Sequence, residues 1–336
     1  MNQEFWRGRK VFITGHTGFR GSWLALTLQK AGAQVYGFSL SPKTTPSFFE
    51  LSNVGQKMTS TFGDVRDQAS FQSALEYSEA EIVFHLAGGG ALKESWDDVQ
   101  TVYQSQFLGT LNLLESLRMT ATVRAVVVLS SDKVYRQSAE PHRETDSLGG
   151  SSPAATAKAC SELLVESYLS GLFAPEKYNK HKLALATARA PAVIGGGEFA
   201  LDNLVWQMAQ ACQAGLDLPL KNPQSLRTWM HVEDLIAGLV LLAEGLVQSG
   251  PKLSGAWNFG AGVDHQSTVG NFAASFAKHY GVLQPSGMSK TASLSVHNTL
   301  DTEKASAKLQ WAPQVSLEET VAKTAQWYRN YFSGVS

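Results

Sequence analysis

Three glycines stand three residues apart in Gly15-His16-Thr17-Gly18-Phe19-Arg20-Gly21. Such a run suits a phosphate: the first glycine permits a tight turn, the second lets a pyrophosphate approach the backbone, and the third lets a helix pack closely on a strand. A second cluster, Ser130-Ser131-Asp132-Lys133, sets hydroxyls, a carboxylate and an amine side by side after an apolar run, and polar groups so placed are site candidates. A third group is an amine, Lys158, whose positive charge would depress the pKa of any neighbouring acid. Four residues before it stands Ala154, and a methyl group exchanges no proton.

The elements that must position these groups follow from periodicity. Lys10–Thr14 is a short apolar run, read as a buried strand, and Ser22–Lys30 has helical apolar spacing that ends before Gly32. Strand, glycine turn and helix together are the context a dinucleotide fingerprint needs, with free amides and a favourable dipole at the helix N-terminus. Gln34–Ser39 is the second strand. An acid usually stands near its end to grip the adenosine ribose, but here there is Ser39, with Lys43 nearby, so NAD and NADP both stay open. Glu81–His85 is a strand running into the small-residue loop Leu86–Gly90, and His85 is read as packing between strand and helix. Arg124–Leu129 is a continuous β-branched run that reads as a fully buried strand, and Ser131, Asp132 and Lys133 follow its C-terminal end, where open parallel sheets bind ligands.

Alternation of strands and helices through residue 190 predicts an α/β fold, a doubly wound parallel sheet. After the glycine-rich Gly195-Gly196-Gly197 the alternation weakens. The expected division is a dinucleotide-binding domain over 1–190, revisited at about 231–261, and a smaller substrate lobe from 191–230 and 262–336.

Composition limits the partners. A net charge of −1 without basic runs argues against nucleic acid and against an anionic membrane surface. The two cysteines, Cys160 and Cys212, provide neither a bridge framework nor metal spacing. The first ten residues lack the apolar core of a signal peptide, and the longest apolar run, Leu235–Leu246, is interrupted by Glu244 and shorter than the ~20 residues of a membrane span. A cytoplasmic protein is expected.

The Gly-x-x-Gly-x-x-Gly form of the turn resembles the short-chain dehydrogenase/reductase superfamily. Over nearly the whole chain the resemblance is to the CDP-glucose 4,6-dehydratases, extended members that modify nucleotide sugars. It is carried by Thr14–Trp23, Ser131-Asp132-Lys133-Val134-Tyr135, Leu148-Gly149-Gly150, Lys158–Glu162, Val193–Gly197, Asn222-Pro223, Arg227–Val232 and Trp257–Gly260. The resemblance implies NAD or NADP bound by Gly15, Thr17, Gly18, Phe19, Arg20, Gly21, Ser39, Asp64, Val65, Leu86, Ala87 and Lys158. Asp64 would lie in the adenine-contacting turn, with a helix cap as its plain alternative. Asn222, Arg227 and His231 would line the cleft for a nucleotide sugar, a CDP-sugar by resemblance, and the chain would pair into a homodimer or homotetramer through Val102–Leu117 and Thr156–Leu172.

In that family the sugar 4-OH is oxidised, water is eliminated across C5 and C6, and hydride returns to C6. Carried over by position, Ser131 would bond the 4-oxygen, Asp132 and Lys133 would serve the elimination, and Lys158 would hold the nicotinamide ribose. The departure is local. Gly-Gly-Tyr-x-Pro-Tyr-x-x-x-Lys in the family is Gly149-Gly150-Ser151-Ser152-Pro153-Ala154-Ala155-Thr156-Ala157-Lys158 here, so both tyrosines are gone. Gln106, Ala192 and Asn203 also replace family residues. Ser131, Thr156 or a water held by Lys158 are the candidate substitutes. The expectation is a dehydratase-like lyase with reduced or altered chemistry; the alternatives are an inactive cofactor- and CDP-sugar-binding protein, or a non-redox elimination or epimerisation at the same site.

Overall fold

The computed structural model describes residues 1–88, 94–138, 140–217, 220, 222–282 and 299–335; Gly89 and Gly90 of the loop after the fourth strand, and 283–298 of the expected lobe, lie outside them. The strands are β1 (Lys10–Thr14), β2 (Gln34–Ser39), β3 (Thr59–Phe62), β4 (Ile82–His85), β5 (Ala125–Leu129), β6 (Ala184–Arg189), β7 (Ala192–Ile194), β8 (Leu226–His231), β9 (Gly255–Asn258) and β10 (Gln266–Thr268). Seven of them form one sheet in the order β3-β2-β1-β4-β5-β6-β9, and every neighbouring pair is parallel. This is the doubly wound α/β sheet that the alternation predicts.

Helices cover both faces, which is why the central strands are continuous apolar runs. Alternate residues divide between the faces. Val11, Ile13, Ile82, Phe84 and Val127 meet Leu24 and Leu28 of the helix Phe19–Lys30 and Leu235 and Leu239 of the helix Val232–Ser249. Phe12, Val83 and Val126 meet Phe71, Leu113 and Val165 of the helices Gln68–Ser78, Gly109–Met119 and Pro153–Ser170. Strand order reverses between β1 and β4, so the loops after these strands part there and leave a crevice.

A second sheet, β10-β8-β7, lies beside a separate aromatic core. Trp229 stacks on Phe272 at 4.1 Å, and Trp206, Phe276 and Tyr328 complete it from the helices Leu204–Ala214, Val269–Tyr280 and Leu317–Phe332. Between the last two helices, Ala305 and Trp311 pack into the core of the large sheet instead. Among the described residues no helix is long and apolar enough to cross a membrane. The Glu244 that interrupts the apolar run is buried and accepts a 2.5 Å bond from the Trp6 indole.

Candidate active site

Gly15 turns the chain at the end of β1 with φ +73°, a region L side chains rarely adopt. A Cβ there would stand 2.9 Å from the Ala87 nitrogen, so the glycine also lets the loop after β4 close on the turn. Thr14 ties these loops together. Its hydroxyl oxygen accepts from the Leu86 and Ala87 amides, both at 3.1 Å, and lies 2.9 Å from Nδ1 of buried His85. With two donors already on that oxygen, its own proton goes to Nδ1, which leaves the His85 N–H on Nε2. Burial, reinforced by the charge of Lys158, pushes the His85 pKa down to about 3 and keeps the ring neutral.

Gly18 is the N-cap of the helix Phe19–Lys30 and brings no side chain to cap it, so the first-turn amides are left for an anion. The glycines differ in what they protect. A Cβ on exposed Gly18 would clear its nearest neighbour by 3.4 Å, whereas one on Gly21 would fall 2.1 Å from the Gly15 carbonyl oxygen. Gly18 keeps the surface open to a ligand, and Gly21 lets the helix sit on the turn. Phe19 is buried in the core, and Arg20 follows it partly buried.

At the end of β2, Thr17 donates to the Leu40 carbonyl at 2.9 Å and accepts from Ser39 at 2.8 Å, so hydroxyls occupy the place of the usual acid. Asp64 is gripped by Arg66 through Nε at 2.9 Å, Nη2 at 2.6 Å and the main-chain nitrogen at 2.9 Å, which holds its carboxyl below the usual range. Capping of the next helix falls to Asp67, which accepts from the Ala69 and Ser70 amides. The Val65 carbonyl accepts from the Asn112 amide at 2.8 Å.

After β5, Ser131 donates to Asp132 Oδ1 at 2.8 Å and accepts from the Lys133 nitrogen at 3.3 Å. Burial raises the Asp132 pKa, opposed by Ser131, Lys133 and Arg20. Asp132 acts in turn on Arg20 and on Arg227 of β8, and Lys158 feels both Arg20 and Lys133. Residues far apart in sequence therefore share one electrostatic neighbourhood, with three of its cations around a half-buried carboxyl. Two of the predicted substrate residues also have bonds within the framework. Asn222 is exposed, with its carbonyl closing a turn to the Ser225 amide, and His231 is buried, with Nδ1 accepting from the Glu233 amide as a helix cap. Asn203 likewise caps the helix Leu204–Ala214.

The helix Pro153–Ser170 starts at Ser152, whose hydroxyl accepts from the Ala155 amide. Gly150 must be glycine, since a Cβ would lie 2.2 Å from the Thr156 nitrogen. Ala154 and Lys158 share a face one turn apart. Lys158 lies on the wall of a polar cavity with His85, Ser130, Glu162 and Thr187. Among the described residues, buried His85 Nε2 and Ser130 Oγ on this wall have no hydrogen-bond partner. Burial, with Arg20 and Lys133 nearby, pushes the Lys158 pKa down to about 8 against the opposing pull of Glu162.

Thr156 donates its hydroxyl proton to the Gly150 carbonyl at 3.0 Å. Tyr135 is buried, donates to Asn258 Oδ1 at 2.7 Å, accepts from Arg189 at 2.6 Å, and has its pKa pushed up to about 12 by burial. Sequence reasoning missed the pair beneath Lys158. Arg189 makes two 3.0 Å bonds to the Glu162 carboxylate, which also accepts from Thr187 at 2.6 Å, and both charges are buried. The available signal was an arginine ending an apolar strand and a glutamate one turn beyond Lys158.

A parallel sheet with a glycine turn at its switch point and polar groups gathered beyond β1, β4 and β5 defines an extended short-chain dehydrogenase/reductase. The chain belongs to the nucleotide-sugar dehydratases of that class: residues 12–324 match the family model described as GDP-mannose 4,6 dehydratase. It is 33% identical to a CDP-glucose 4,6-dehydratase of Salmonella typhimurium over 99% of this chain and 94% of that protein. Two solved structures share the fold. MoeE5 in complex with UDP-glucose and NAD has a TM-score of 0.80 at 24% identity, covering 96% of this chain and 99% of its own. DesIV, a dTDP-glucose 4,6-dehydratase from Streptomyces venezuelae with NAD and TYD bound, has a TM-score of 0.79 at 22% identity, covering 96% and 98%.

Proposed function

We propose that the protein is an NAD-dependent 4,6-dehydratase of a CDP-sugar whose first step is slowed by Ala154. The observation that supports this reading is the gathering of Ser131, Asp132, Lys133, Lys158 and Arg20 into one neighbourhood around an intact glycine turn, with the tyrosine position alone lacking its acid/base group. The open N-terminus at Gly18 fits a pyrophosphate, with Gly15, Thr17, Phe19, Arg20 and Gly21 shaping the turn. Ser39, Asp64 and Val65 would face the adenosine half, and Leu86, Ala87 and Lys158 the nicotinamide half. When bound, the dinucleotide supplies the two-electron oxidant that makes a ketone at the sugar C4 and later returns the electrons.

The protein's own part is placement and proton movement. Ser131 would orient the 4-oxygen. Asp132, its pKa raised by burial, is suited to protonate the departing 6-OH, while Lys133 beside it takes the C5 proton. Arg227 would pair with the diphosphate by charge-assisted bonds, and Asn222 and His231 would shape the wall of the substrate lobe, 191–230 and 262–336. A homodimer would cover Phe107, Leu108 and Leu163, which are exposed on the helices expected to pair.

The test is turnover of CDP-glucose with NAD, followed by the alkaline absorbance of the 4-keto-6-deoxy product, with competition by CDP, UDP, dTDP and GDP. Slow formation of that product and preferential displacement by CDP are expected. A protein that binds both ligands and forms no product would be a binding protein, and a preference for another base would replace the CDP-sugar.

A further inference from the structure

The phenol missing at position 154 leaves open which group takes the first proton. Three hydroxyls belong to the motifs around this position, and each has its proton engaged. Thr156 donates to the Gly150 carbonyl, Ser131 donates to Asp132, and Tyr135 donates to Asn258 while accepting from Arg189. Alcohols are in any case poor bases near neutral pH. The next titratable side chain on the face that carries Ala154 is Lys158, one turn on.

We propose, on the dehydratase reading above, that Lys158 itself takes the proton of the sugar O4–H, from the helix face that it shares with Ala154. The O4–H bond breaks toward Lys158 Nζ and an N–H bond forms. The C4 hydrogen leaves with its electron pair to the nicotinamide dinucleotide, the oxidant, and C4=O results. Lysine becomes ammonium and the dinucleotide is reduced, so atoms and charge balance.

The surroundings support this use of an amine. Arg20, from the helix after the glycine turn, and Lys133, from the loop after β5, oppose a positive charge on Lys158. Glu162, on its own helix, favours that charge, but both carboxylate oxygens are bonded to Arg189 and one also to Thr187. His85, from the end of β4, faces the same cavity as a neutral ring. Burial adds to the two cations, and with a pKa pushed down to about 8 roughly one tenth of the amine is neutral at pH 7. The base form therefore rises with pH and saturates above the midpoint. Buried Ser130 Oγ, a hydroxyl without a hydrogen-bond partner, shares the cavity wall with Lys158.

Two measurements test this. In the cofactor-free protein, acetic anhydride labelling of Lys158 across pH 6–11, read by peptide mass spectrometry, should be half-maximal near pH 8, well below the ~10.4 of a free lysine. In single turnovers with CDP-glucose and NAD, reduced-dinucleotide absorbance should grow at a rate that rises with pH through the same midpoint. Lys158→Arg keeps the charge but cannot give up its proton, so it should still bind NAD by calorimetry and lose about 10²-fold or more in that rate. If the arginine variant folds poorly, Lys158→Ala with added methylamine should recover rate in proportion to free amine. A Lys158 that titrates near 10, or an arginine variant as fast as the wild type, overturns the role and leaves the dehydratase reading standing. A wild type that binds both ligands and reduces no dinucleotide between pH 6 and 10 overturns both.

Discussion

The two ends of the candidate site are built to different standards. At the glycine turn every small residue has a packing or binding reason, from Gly21, where a Cβ would fall 2.1 Å from the Gly15 carbonyl oxygen, to the uncapped helix start at Gly18. Around Ala154 the scaffold is equally well made, with Gly150 pressed on Thr156, Ser152 capping the helix and Arg189–Glu162 fixing its register, yet the reactive group is absent. The contrast teaches that framework and chemistry are separable. A helix can carry caps and a buried ion pair around a position whose own side chain is only a methyl group.

The sharpest way to break this contrast is to restore the phenol. Ala154→Tyr should raise the 4,6-dehydratase rate by roughly 10²–10⁴-fold, about 3–5 kcal/mol of barrier, measured by the alkaline absorbance of the product. No gain, with both ligands bound, would mean the scaffold is no longer aligned for the chemistry. Next in size is Arg189→Met. It leaves Glu162 buried and unpaired and should cost about 3–5 kcal/mol in urea unfolding. Surviving protein should show reduced turnover, because the turn carrying Lys158 loses its anchor.

The glycine end can be separated into fold and ligand. Gly21→Ala forces a methyl against backbone and should cost about 3 kcal/mol by thermal melting. Gly18→Val has room within the protein and should fold at a cost near 1 kcal/mol, while calorimetry shows dinucleotide binding lost. Equal effects at the two positions would contradict the division of labour between them. The last effect concerns His85 and appears only as the pH falls. Its folded pKa of about 3 lies below the unfolded ~6.5, so the unfolded chain binds the extra proton between these values. Its contribution is fully present above about pH 6.5 and falls by roughly 2 kcal/mol toward pH 5, a slope that His85→Gln should remove from urea midpoints.

Much of the framework could be read from the sequence alone, because its signals are local. Strand, glycine turn and helix are set by neighbouring residues, and the apolar runs Lys10–Thr14 and Arg124–Leu129 mark the buried strands within a residue of β1 and β5. The placement of Ser131-Asp132-Lys133 beyond β5 followed from the rule for parallel sheets. That position 154 carries an alanine is likewise a fact of sequence. What each polar group does with its bonds was decided by tertiary structure. Asp64 faced two local readings, and the fold gave it to Arg66 and the cap to Asp67. His231 and Asn203 act as helix caps, a use that only the folded chain reveals. Arg20, Asp132 and Arg227 feel one another's charge only because three distant segments converge, and Arg189 finds Glu162 across 27 positions. Hydrophobic period and turn chemistry are written in consecutive residues, whereas burial of a charge and the partner that satisfies it depend on what the rest of the chain brings alongside.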